Sequence, residues 1–139
     1  MSRILAMAAA LLVLAGCAHR LHRDAACPLA SQQKMVMAEL FFGRDVAGRA
    51  PVSDAEWTEF SARVIGAQFP DGFTVYDGEG HWRDNKTAAI VRERSKVVRV
   101  AALPSVDLAG KLTAVMEAYK AQFNQIAVGV LTSRACGAF

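Results

Sequence analysis

The chain has 139 residues, 53% of them hydrophobic and 21% charged, with 16 Lys and Arg against 13 Asp and Glu for a formal charge of +3. That length suits a single domain, and so small a charge argues against nucleic acid or a strongly anionic surface as a partner. Three cysteines, Cys17, Cys27 and Cys136, occur without any paired CxxC motif.

In chain order, residues 1–16 carry one cation, Arg3, and then the apolar run ILAMAAALLVLA ending in small residues. This is the layout of a secretory signal, too short to span a bilayer comfortably. Leu14-Ala15-Gly16-Cys17 resembles the bacterial lipobox, whose cysteine is acylated and becomes the mature N-terminus. The alternative is an ordinary cleaved signal that contains a cysteine. Ala18 rather than Asp after the cysteine resembles lipoproteins sent to the outer membrane. Cleavage removes Arg3 and lowers the formal charge by one. Residues 17–33 read as a tether carrying His19, Arg20, His22 and Arg23. His19 and His22 lack a third ligand nearby, so no metal is expected.

Residues 34–139 form the expected domain. Lys34–Phe42 (KMVMAELFF) is a strand-length apolar run broken by Glu39, which shares a face with Met35, Met37 and Phe41. An ion pair to a neighbouring strand, or a place in a ligand site, would account for that carboxylate. Gly43 to Pro51 reads as a solvated loop in which Arg44 and Arg49 are candidates to clamp an anion. Ser53 and Glu56 form a capping box, and Val52 with Trp57 a hydrophobic staple. The helix they start carries Trp57, Phe60, Val64 and Ile65 on one stripe and stops at Gly66 and the Pro70-Asp71-Gly72 turn.

Phe73–Tyr76 then reads as a strand, with a bulge at Asp77-Gly78-Glu79-Gly80 before Trp82 and Arg83 extend it; Asp77-Gly78 as the hairpin turn itself is the other reading. Thr87–Leu103 is the longest strand, with Arg92, Arg94 and Lys96 on one face and Val91, Glu93, Ser95 and Val97 on the other; the basic row reads as the wet face of the sheet. Asp107 or Ser105 caps a second helix with the stripe Leu108, Leu112, Val115, Tyr119 and Phe123. Ile126–Thr132 is the last strand.

Strand, helix, strand, strand, helix, strand predicts an α+β, ferredoxin-like βαββαβ fold: a four-stranded antiparallel sheet with two helices on one face. First and last strands are then antiparallel neighbours, which brings Cys27 and Cys136 together as a candidate disulfide rather than two unrelated thiols.

The blocks MVMAELFFGR, GRAPVSDAEWTEF, FPDGFTVYDGEGHWRD, RERSK and AYKAQFNQIAVGV, with Cys136, resemble the bacterial domain-of-unknown-function family 3574, small exported proteins that often carry a lipobox. The resemblance implies location and fold class and carries over no catalytic residue. Where it leads one to expect glutamine, this chain has His81.

Gly78-x-Gly80 lacks a third glycine, and no GxSxG elbow, P-loop or HExxH motif occurs, so no cofactor is expected. Asn85-Lys86-Thr87 is a sequon without meaning in a bacterial envelope. Aromatic and basic residues are not interleaved as RNA-binding sheets need. Two readings remain. One is a membrane-anchored, periplasm-facing lipoprotein, held to the bilayer by acylated Cys17, that acts as a structural or ligand-binding module. The other is a small enzyme or sensor whose subunits dimerise through their sheets around a pocket lined by Glu39, His81, Trp82 and Glu93.

Overall fold

The computed structural model describes residues 26–84 and 86–139. Residues Ser31–Phe139 make up one compact unit. The expected signal, Cys17 with its expected acylation, and His19 and His22 of the expected tether lie outside the described residues, as does Asn85 of the sequon. Described residues 26–30 hold no helix or strand. Cys27 and Cys136, expected as a pair, are each disulfide-bonded.

The unit begins with β1 (Gln33–Gly43). The first helix, α1, follows as an α-helical segment Asp54–Phe60, a π-helical turn Ser61–Ile65 and a last turn Gly66–Gln68. Then come β2 (Thr74–Arg83), β3 (Ile90–Ala102), α2 (Leu108–Phe123) and β4 (Gly129–Gly137). The sheet order is β2-β3-β1-β4, antiparallel throughout. This is the ferredoxin-like arrangement.

Its core follows from strand alternation. Ala38, Leu40 and Phe42 of β1 and Val98 and Val100 of β3 face one way, and the buried residues of both helices join them in a single cluster, so both helices cover the same face. Aromatic rings fill the centre. Phe42 packs edge-on against Trp57, Phe60 and Tyr119 with centroids 4.8–6.2 Å apart. The Tyr119 hydroxyl donates to the Gly43 carbonyl at 2.9 Å, satisfying the one polar atom of that ring.

The α1 cap forms as its sequence predicts: the Glu56 N–H donates to Ser53 Oγ at 3.2 Å and the Ser53 N–H to the Glu56 carboxylate at 2.8 Å. Val52 and Trp57, the staple pair, are both buried. The expected end at Gly66 is not observed. Gly66 is helical at φ −59°, and its N–H reaches back five residues to the Ser61 carbonyl. That π turn inserts one residue into the helical repeat. Ile65 rather than Val64 therefore takes the core position after Phe60, and Phe69 follows it inward. The left-handed conformation that ends the segment belongs to Gly72, at φ +123°.

Three other boundaries depart from expectation. β2 runs without a bulge, pairing residue for residue with β3 from Thr74↔Arg99 to Arg83↔Ile90, and the reversal lies beyond Asp84, whose carboxylate accepts from the Lys86 and Thr87 N–H groups. Asp107 makes no side-chain cap on α2; the Leu108 N–H bonds the Ser105 carbonyl instead. β4 starts three residues later than expected, at Gly129, after Asn124 turns the chain in the left-handed region and leaves Ile126 in solvent, and it continues to Gly137, pairing with β1 from Phe41 back to Gln33.

Candidate functional site

Register decides which side chains meet on the face opposite the helices. Three cross-strand rows are Thr74–Arg99–Glu39–Leu131, Tyr76–Val97–Phe41–Gly129 and Gly78–Ser95–Gly43; two shorter ones, Gly80–Glu93 and Trp82–Val91, complete the β2 end. Tyr76, Trp82, Phe41 and Leu131 are exposed there.

Glu39, the carboxylate singled out in the apolar first strand, is ion-paired. Arg99 Nη2 and Nε donate to its Oε1 at 2.7 and 3.1 Å, and the same guanidinium lies 5.4 Å from the centroid of the Tyr76 ring. Hydrogen bonding to Glu39 raises the Arg99 pKa further, so its charge is fixed.

Glu93 has a different setting. Its Oε1 accepts from the Trp82 indole N–H at 3.1 Å. A Cβ built on Gly43 would fall 2.6 and 2.7 Å from its two carboxylate oxygens, so only glycine at 43 leaves that group its place. Gly78 likewise leaves room for the Ser95 hydroxyl, which would stand 3.1 Å from an added Cβ. Of the four residues proposed to line one pocket, the structure therefore joins Trp82 and Glu93. Arg99, which holds Glu39, and Glu93 are six residues apart on β3, roughly 20 Å at about 3.3 Å per residue. His81 alternates to the opposite side of β2, where its Nε2 meets Glu79 Oε1 at 2.6 Å.

The basic row of β3 is wet only in part. Lys96 shares the parity of the core residues Val98 and Val100; its side chain is 12% exposed and it pairs with Asp77 at 2.5 Å and Asp54 at 3.8 Å. The hydrogen bond from Lys96 holds the Asp77 carboxyl below its usual range. Arg92 and Arg94 are exposed toward the same end. Nor do Arg44 and Arg49 wait for an anion: Arg44 is buried on Asp54 and the Val52 carbonyl, and Arg49 pairs with Glu56. Loop composition could not show that burial.

One concavity stands out, a groove of about 770 Å³ where β1 begins and β3 ends, closed by the turn from Phe69 to Thr74. Met35, Met37, Phe69 and Leu108 line it with apolar surface, and Arg99 and Lys111 bring positive charge. Neither Glu39 nor Glu93 is among its lining residues. Its walls come from separate segments, among them a loop and the C-terminal Phe139, so no contiguous motif announces it. Among the described residues no group of three or more His, Cys, Asp or Glu is placed to hold a metal, and no helix is long and apolar enough to cross a membrane.

The family described as "Protein of unknown function (DUF3574)" matches residues 37–139. No curated protein matches the chain. Among solved structures, a phage SAM lyase in complex with S-methyl-5'-thioadenosine is similar at 16% identity and a TM-score of 0.58, over 76% of this chain and 90% of that one. A phage SAM lyase in its apo state gives 16% identity and a TM-score of 0.59, over 84% and 97%. At such identity the likeness is one of fold.

Proposed function

The chain belongs to the DUF3574 family of unknown function, and from that premise we propose that it is a membrane-anchored, periplasm-facing lipoprotein whose domain binds an amphipathic ligand bearing an anionic group. Acylated Cys17 holds it to the outer membrane, with residues up to Gln33 as the tether. Two features support an envelope location: the lipobox-like Leu14–Cys17, and the disulfide state of Cys27 and Cys136, which suits an oxidising compartment. The observation that carries the binding role is the groove, whose apolar walls end at two cations. Arg99 is already oriented by Glu39 and Tyr76, and Lys111 is exposed with no ion-pair partner among the described residues.

The test is thermal unfolding of the full chain in detergent with decanoate or dodecyl phosphate. Binding to the folded state raises the melting temperature with ligand concentration, and Lys111→Ala reduces that rise. A melting temperature indifferent to both ligands at millimolar concentration rules the reading out. Anchoring is tested separately: mass spectrometry of the membrane-extracted protein finds an acylated Cys17, and Cys17→Ser releases the chain from the membrane fraction.

A second reading, a small enzyme dimerising through the helix-free face, is favoured by the contact of Trp82 with Glu93 beside the glycine positions 43, 78 and 80. Two of the structures similar in fold are those of a phage SAM lyase. Glu93 is the carboxylate of this reading, since Glu39 is held by Arg99 well along the sheet. Incubation with S-adenosylmethionine, followed by chromatography for S-methyl-5'-thioadenosine, tests it; no product above the Glu93→Gln background excludes that reaction.

A further inference from the structure

The helix-free face carries a carboxylate beside an aromatic ring at both of its ends, and the two ends differ in one component. Toward the end of β3, Glu39 and Tyr76 flank the Arg99 guanidinium: anion, cation and ring from three strands. Toward the β2–β3 hairpin, Glu93 and Trp82 supply anion and ring alone. Among the described residues no Lys, Arg or His pairs with Glu93, whereas Glu39, Asp54, Glu56 and Asp77 each have a cation. Its sequence neighbours Arg92 and Arg94 alternate to the other side of the strand.

From this difference we propose that the Glu93–Trp82 corner binds a small, weakly hydrated organic cation, of the quaternary ammonium or sulfonium type. The Glu93 carboxylate is partly buried and held in place by the indole N–H, so little ordering remains for a ligand to pay. Trp82 is 45% exposed and offers the ring type that attracts cations most strongly. Gly80 leaves bare backbone on this face of β2 beside Trp82, giving methyl groups a floor to rest on, while the Ser95 hydroxyl occupies the space over Gly78. A strongly hydrated ion such as Na⁺ would lose water for one carboxylate and one ring and gains little, whereas a methylated cation gives up weak hydration. The site is separate from the groove, whose lining includes neither residue.

The experiment titrates the full chain in detergent with tetramethylammonium and trimethylsulfonium chlorides, following Trp fluorescence, with NaCl at equal ionic strength and neutral tert-butanol as controls. Trp57 is buried in the core, and Trp82→Phe separates its contribution from that of Trp82. Both cations give a saturable change, the controls give none, and Glu93→Gln weakens the binding at least about tenfold, the loss of one charge-assisted contact. Glu93→Gln keeps an oxygen for the indole N–H, so an unchanged melting temperature certifies the fold. Trp82→Phe removes the signal, and calorimetry then shows retained but weaker binding. Equal affinity in Glu93→Gln, or the same response to tert-butanol, overturns the proposal. So does sedimentation showing that Glu93→Gln dissolves an oligomer, because the counter-charge would then come from a second copy of the chain.

Discussion

Arg44 and Asp54 form a lopsided ion pair: at 2.8 Å, the guanidinium side chain is 4% exposed and the carboxylate 78%. The cation is a structural part of the β1–α1 connection, where its Nε also donates to the Val52 carbonyl at 2.6 Å, and the anion is a surface group of the first turn of α1. Arg44→Ala leaves a cavity and removes a buried carbonyl's donor, and is expected to cost about 2–4 kcal/mol. Asp54→Ala is expected to cost less than about 1 kcal/mol. Urea midpoints of the two variants measure the asymmetry, and equal losses would contradict it.

Gly43→Ala pushes the Glu93 carboxylate, the far end of a flexible side chain, off its place and is expected to destabilise by about 1 kcal/mol or less. Because the clash is with one side chain, Gly43→Ala combined with Glu93→Ala recovers much of that loss. A double variant no better than the sum of its parts would show that the backbone at 43 is the obstacle.

Acid sensitivity follows from Asp77 and Glu56, both held below their ordinary values: Asp77 by the hydrogen bond from Lys96, Glu56 first by the Ser53 backbone N–H. A depressed carboxyl stabilises the fold above its unfolded pKa and loses that contribution as pH falls through the folded one. Melting temperature therefore declines as pH drops below about 4, and Asp77→Asn flattens the decline. An identical acid profile for that variant would remove Asp77 from the account.

At the alkaline end, burial pushes the Tyr119 phenol above its ordinary value, with Arg44 opposing and Glu93 adding to the rise. A raised pKa that keeps the neutral form contributes fully below the unfolded pKa of about 10 and is lost as pH climbs through the folded value. The wild type is expected to weaken above pH 10, and Tyr119→Phe to weaken less there, after an initial loss of about 1 kcal/mol for the bond to Gly43. Parallel pH-melting curves would refute the assignment.

With Cys27 and Cys136 both disulfide-bonded, reduction is expected to lower stability by about 2–5 kcal/mol. Melting in the presence and absence of a phosphine reductant measures it. Cys136→Ser under oxidising conditions should match the reduced wild type.

Much of this fold is written in local chemistry. Ser53 with Glu56, the stripe from Leu108 to Phe123 and the strand-helix order each depend on residues a few positions apart, and each stands as expected. What escaped depends on distant partners. The π turn at Ser61–Ile65 answers to where Ile65 and Phe69 must sit against the sheet, and the length of β4 is set by β1 beside it. Arg44 reads as a loop cation until Asp54 and the Val52 carbonyl close around it. Of the suggested pocket, the Trp82–Glu93 contact was within reach because one hairpin carries both, whereas spacing alone could not separate Glu39 from them or turn His81 away.

Gly43 is addressed from two directions, by the Tyr119 hydroxyl at its carbonyl and by the Glu93 carboxylate where a side chain would be. At that point the sheet is only a backbone thick. An event at Glu93 is thus one residue away from the ring cluster under the helices, and the phenol can serve as a reporter on the far side of the wall, readable from within the protein without any label on the ligand.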